Sequence, residues 1–392
     1  MILTARRTAT ALAAVAVPAG LLLAGPAATA SPGGAHHPAP LMVRQIVHGM
    51  ALHHTFTPQG GKPTTEPLAG PDDLTNLGND LFTAFQNGVG SQGEPSTDGN
   101  LDSTVVEFSP CGHVMRQWDL MGKIDGLTAD PARGVVIATV NEDGNSSLYT
   151  IGPAASASTG ITHYTYNRPL PHNGGTDAVT IYRGRIFVSA SAPGTTGAPA
   201  PQPTYPAVYA VTLGASHVAT VTPLFGDEAR ATVANVGPGQ GNQVRLALID
   251  PDSNSAVPSN APRFGRDFML TSQADKQQIF ARFGNGGVRL RVLNLSQSVD
   301  DTAWVTGGGR LFATDADSDT VDVVTGNFAK NSVLVAVTPC DAANAPATCP
   351  GPGFPPNYLG VLNPWTGHVS RALLAGSAQF HPKGMLFFPS RD

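Results

Sequence analysis

The chain has 392 residues and a formal net charge of -5, with 41% hydrophobic, only 13% charged, 44 glycine and 34 proline residues. So much apolar content excludes a disordered chain, and the acidic balance argues against a nucleic-acid partner. No stretch beyond the N-terminus reaches the roughly 18 consecutive apolar residues of a membrane span, and the glycines and prolines point to tight turns between short strands.

The chain opens on Arg6-Arg7, an apolar run over residues 11–24 and the small-residue sequence Ala28-Thr29-Ala30. That order predicts a secretory signal peptide over residues 1–30 and a secreted, extracellular protein. Residues 31–40, rich in Pro, Gly, Ala and His, are expected as a flexible arm, and residues 41–392 as one domain. The pairs His36-His37 and His53-His54 have no third ligand at fixed spacing, so they do not announce a metal centre. Residues 43–56 alternate and predict one strand.

From Pro71 a unit repeats. Asp72-Asp73-Leu74-Thr75 leads into Leu81-Phe82-Thr83-Ala84-Phe85, Asp125-Gly126-Leu127-Thr128 into Val135-Val136-Ile137-Ala138, and Asp177-Ala178-Val179-Thr180 into Arg185-Ile186-Phe187-Val188. A weaker copy runs from Glu228 to Leu246-Ala247-Leu248-Ile249. Residues 299–325 hold three β-rich runs separated by Gly307-Gly308-Gly309 and Asp315-Ala316-Asp317, which predict three strands of one blade. The acids Asp72, Asp125, Asp177, Glu228 and Asp301 lie 53, 52, 51 and 73 residues apart. A recurring strand, turn and His-Val strand at His113, His217 and His368 supplies the second half of the unit. A four-stranded meander of this period predicts an all-β, six-bladed β-propeller, with five or seven as the neighbouring counts. Residues 359–374 and 381–388, joined to the N-terminal strand, are expected to build the sixth blade.

Strand alternation places the loop before a blade's first strand and the loop after its second at the same end. Asp72, Asp73, Asp125, Asp177, Glu228, Asp300 and Asp301 occupy the former, and Asn87, Glu94, Asn141-Glu142-Asp143, Asp250, Asp252, Asp315 and Asp317 the latter. These groups should face one funnel. Crowded carboxylates raise one another's pKa unless a cation neutralises them, and hard oxygen donors suit Ca²⁺ or another divalent cation. The alternative is that each Asp caps its own turn.

Cys340 and Cys349 share a proline-rich loop and predict a disulfide in an oxidising compartment, leaving Cys111 as a free structural thiol. Asp315-Ala316-Asp317-Ser318-Asp319 lacks the glycine and glutamate of an EF-hand, and Asn87-Gly88-Val89-Gly90 opens no helix to cradle phosphate. Neither a Gly-x-Ser-x-Gly elbow nor a His-Glu-x-x-His motif is present.

The Asp125-Gly126-Leu127-Thr128-Ala129-Asp130-Pro131 string, Thr314-Asp315-Ala316-Asp317-Ser318 and His381-Pro382-Lys383-Gly384-Met385 resemble blades of the NHL-repeat and gluconolactonase/regucalcin-like propellers. Over residues 70–390 the chain is similar to secreted propellers of actinobacteria. The resemblance implies an axial divalent metal held by Glu, Asn and Asp that polarises a lactone carbonyl and the attacking water. Asp72-Asp73 stands where that family has a glutamate. On this reading the chain is a metal-dependent hydrolase of lactone or ester bonds. Asp125, Asp177 and Asp301 are the candidate catalytic residues, and Asp125, Asn141, Asp177 and Asp301 the candidate metal ligands. His172 and His381 are candidates for the base of a streptogramin-lyase-like reaction. The alternative is a binding or scaffold propeller for a small-molecule, protein or glycan partner; a monomer is expected on both.

Overall fold

The computed structural model describes residues 39–155, 160–171, 175–191, 205–343, 345, 349, 356–376 and 379–390. The expected signal peptide, most of the arm, and His172 lie outside the described residues. Among the described residues the regular elements are all β-strands apart from one 3-10 turn, Gly49–Ala51, and no helix is long and apolar enough to cross a membrane.

The first sheet runs from its inner to its outer strand as Pro71–Leu77, Asp80–Phe85, Asp102–Phe108 and Val114–Met121. The second is Ile124–Asp130, Val135–Val140, Ser147–Ile151 and Ile161–Tyr166, and the third Val179–Tyr182, Arg185–Ser189, Pro206–Leu213 and Val218–Gly226. The outer strands of these two pair in parallel at Thr165–Val218, so the two sheets share one ladder. The fourth is Pro251–Ala256, Phe268–Ser272, Gln277–Gly284 and Gly287–Asn294, extended outward by the hairpin Arg230–Val233 and Gln243–Arg245. Val299–Trp304, Val333–Val337, Tyr358–Leu362 and Val369–Arg371 form the fifth. Pro382–Pro389, Gly309–Asp315, Thr320–Thr325 and Met42–His48 form the sixth.

The inner strands touch in that order around an axis, and Pro382–Pro389 returns to pack on Pro71–Leu77. Between successive sheets lie apolar layers, for example Phe82, Trp118, Leu127 and Val136 between the first and second. The last such layer, with Val47, Phe85, Phe108 and Phe312, joins the sixth sheet to the first. The architecture is an all-β propeller. Each sheet is covered on both faces, which is why Val135–Val140 and Val333–Val337 read as continuous rather than alternating apolar runs.

Three expectations are corrected. Residues 299–325 do not form one blade: Val299–Trp304 pairs with Val333–Val337, whereas the hairpin Gly309–Asp315 and Thr320–Thr325 belongs to the next sheet. Glu228 does not open a blade; it precedes the added hairpin, residues 246–249 form no strand, and the inner strand starts at Pro251. Tyr358–Leu362 and Val369–Arg371 complete the fifth sheet rather than the sixth. The N-terminal strand does complete the sheet that holds the C-terminal one, at its opposite edge, with Met42 opposite Thr325. Cys340 and Cys349 are disulfide-bonded across a Cα separation of 5.4 Å, and Cys111 is free and exposed.

Candidate functional site

The inner strands carry one short pattern: Pro71-Asp72-Asp73-Leu74, Ile124-Asp125-Gly126-Leu127, Thr176-Asp177-Ala178-Val179, Pro251-Asp252-Ser253-Asn254, Val299-Asp300-Asp301-Thr302 and Pro382-Lys383-Gly384-Met385. Its second position lines a shared axial cavity of about 390 Å³, so five aspartates and one lysine face one space. The backbone holds them there. Thr139 donates its hydroxyl to the Asp177 carbonyl, Ser189 to that of Asp252 and Thr314 to that of Asp72, in each case across a sheet boundary.

The third position faces the neighbouring inner strand, where space is short. A Cβ on Gly126 would lie 2.7 Å from the Asp177 carbonyl oxygen, closer than carbon tolerates. Asp73 and Asp301 use the same gap differently. Asp73 accepts the Leu74 N–H on Oδ1 and the Leu127 N–H on Oδ2, both at 2.7 Å. Asp301 accepts Thr302 N–H at 2.5 Å and Met385 N–H at 2.7 Å. Each staples its own strand to the next.

Charge is compensated on part of the ring. The Lys383 ammonium pairs with Asp72; burial alone would push it down, but the charges of Asp72 and Asp300 outweigh burial and hold it well above its ordinary value. Lys123 lies 2.8 Å from Asp125 Oδ1 and also pairs with Glu142. Gln86 donates to Asp125 Oδ1 at 3.1 Å. Burial still pushes Asp125 up to about 8 against the pull of Lys123. The side chains of Asp177, Asp252 and Asp300 take no hydrogen bond or ion pair among the described residues. Burial, then neighbouring carboxylates, holds Asp177 and Asp252 well above the carboxylate range. Asp300 is pushed up by burial to about 8, although Lys383 pulls the other way.

Of the sequence-derived candidates, Asp125, Asp177 and Asp301 line the cavity together and Asn141 does not. Asn141 accepts the Lys123 N–H at 3.0 Å and donates to Asn145 O at 3.3 Å, which fixes a loop. With Asp301 engaged by two amides and Asp125 by Lys123, these four do not fit a common divalent ion. Among the described residues no three His, Cys, Asp or Glu groups are arranged to hold one. His381, just before the inner strand Pro382–Pro389 and not among the residues lining the cavity, sits between Asp317 (2.7 Å) and Gln379 (3.2 Å), and His54 lies 2.9 Å from Glu66. Lys383 was missed, and Asp252, expected in the funnel on a loop after a second strand, instead sits on the inner strand Pro251–Ala256. The aligned Pro-Lys-Gly-Met and Pro-Asp-Ser-Asn strings, matched to Ile-Asp-Gly-Leu and Pro-Asp-Asp-Leu, would have placed both.

No protein-family model matches the chain, and no curated protein matches it. Solved structures similar to it include the periplasmic gluconolactonase of Pseudomonas aeruginosa, at 15% identity over 85% of this chain and 93% of that one, with a TM-score of 0.41. A β-propeller domain from Myceliophteria thermophila is 10% identical over 84% and 93%, with a TM-score of 0.40. Virginiamycin B lyase from Staphylococcus aureus is 12% identical over 73% and 98%, with a TM-score of 0.34.

Proposed function

We propose that the chain is an exported, monomeric, six-bladed propeller that binds a small cation with an apolar body at the acidic end of its axial channel. The observation that carries this reading is the set Asp177, Asp252 and Asp300, which line the cavity without a partner among the described residues. The same cavity is lined by Trp304, Leu386 and Phe387, which suit an apolar body. Its size is within the range that small ligands fill. Because the open carboxylates hold protons more tightly than usual, an arriving cation displaces those protons, and binding strengthens as pH rises.

Isothermal titration of the purified chain with phenethylamine and, separately, with Ca²⁺ tests this reading. Amine binding that weakens about tenfold or more in Asp252→Asn supports it. An Asp252→Asn variant that binds the amine as tightly as the parent would falsify it, and Ca²⁺ binding without amine binding returns the site to a divalent ion.

A second reading is hydrolysis of a lactone or ester. It is favoured by Asp300, which keeps a proton near neutrality beside Lys383 and is equipped to give or take one at a reacting oxygen. Turnover of lactones and aryl esters that is lost in Asp300→Asn supports it, and sensitivity of that turnover to chelator brings back a metal-dependent mechanism.

A further inference from the structure

The outer part of the fourth sheet carries a row of like charges. Arg282 faces Arg289 across the strands Gln277–Gly284 and Gly287–Asn294. Arg230 faces Arg245 across the added hairpin. The two pairs are neighbours, because Arg230–Val233 runs parallel to Gly287–Asn294 with Thr232 beside Arg291, and two residues back along both strands lie Arg230 and Arg289. Four adjacent strands thus present Arg282, Arg289, Arg230 and Arg245 in one line, all exposed.

Like charges directly opposite in a sheet are unfavourable. The ends of the row are compensated: Arg282 Nε lies 2.5 Å from Asp267, and Arg245 pairs with Glu228. The middle is not, since Arg289 and Arg230 make no ion pair or side-chain hydrogen bond among the described residues. In a chain of net charge -5 this row is a local reversal of sign, and such a patch draws anions by long-range attraction as well as contact.

We infer that this edge is a docking surface for an acidic polysaccharide lying across the strands. Neighbouring strands are about 4.8 Å apart, close to the length of one sugar unit in an extended chain, so successive carboxylates meet the open guanidinium groups of Arg289 and Arg230 side by side, flanked by the already paired Arg282 and Arg245. Guanidinium forks bind carboxylates in two-pronged fashion. The surface is separate from the axial cavity.

Binding of the full chain to polygalacturonate at low salt tests the inference, with neutral dextran and oligo(dT) as comparators. The chain is expected to bind polygalacturonate and not dextran, and to release it as salt rises. The double variant Arg230→Ser/Arg289→Ser should bind about tenfold or more weakly with a melting temperature unchanged or higher, because it removes a repulsive neighbouring pair. Asp252→Asn should bind polygalacturonate as the parent does. Failure of the parent to bind, undiminished binding by the double variant, or tighter binding to oligo(dT) than to polygalacturonate would each overturn it.

Discussion

Asp73 and Asp301 differ from Asp177, Asp252 and Asp300 in what surrounds identical side chains only ångströms apart. The first two point along the ring into the gap between inner strands and are filled by backbone amides. The other three point at the axis, where no amide reaches them. One strand position, and therefore one pleat of the backbone, separates a carboxylate that holds the fold together from one that is open to a ligand. In the dipeptide Asp300-Asp301 both roles stand side by side.

The sharpest way to break this division is to remove a staple. Asp301→Ala leaves the Met385 and Thr302 amides without acceptors and should lower stability by about 2–4 kcal/mol in urea unfolding. A loss no larger than that of an exposed aspartate would mean that the two sets do not differ. Proton linkage gives a smaller effect. Asp300 titrates near 8 in the folded chain against an ordinary value of 3.8, so between those limits the folded state keeps a proton that the unfolded state has shed. That contribution is complete below about pH 4 and is lost as pH rises through about 8. The melting temperature should fall across that window, and Asp300→Asn should make the fall shallower. The smallest effect is expected at Asp252→Asn, which replaces a buried carboxyl without a protein partner by a neutral amide and should leave stability unchanged or raised. Calorimetry showing a marked loss would place Asp252 among the staples.

Much of this was legible before any coordinates. Runs such as Val135–Val140 announced strands, and the near-equal spacing of Asp72, Asp125 and Asp177 placed three axial groups correctly. Asp252 was expected in the funnel but on a loop, because the added hairpin Arg230–Val233 and Gln243–Arg245 displaces the fourth inner strand down the chain. Lys383 was hidden because a search for repeated acids passes over the position that supplies the opposite charge. The partnering of Gly309–Asp315 was not legible, because apolar content specifies a strand without specifying its neighbour. The two roles of aspartate were invisible for a related reason: whether an amide faces a carboxylate depends on the next strand, more than 50 residues away for Asp73 and Leu127.

The chain leaves the fifth sheet after Val299–Trp304, lays down the middle of the sixth, returns to finish the fifth and only then supplies Pro382–Pro389. Residues 299–389 are therefore plaited, with the middle of the sixth sheet laid down before the fifth is finished. During synthesis the joint stays undone until Pro382–Pro389 has left the ribosome. A chain cut short after residue 376 would forfeit a lysine, a seam and the inner partner of Gly309–Asp315 at a stroke.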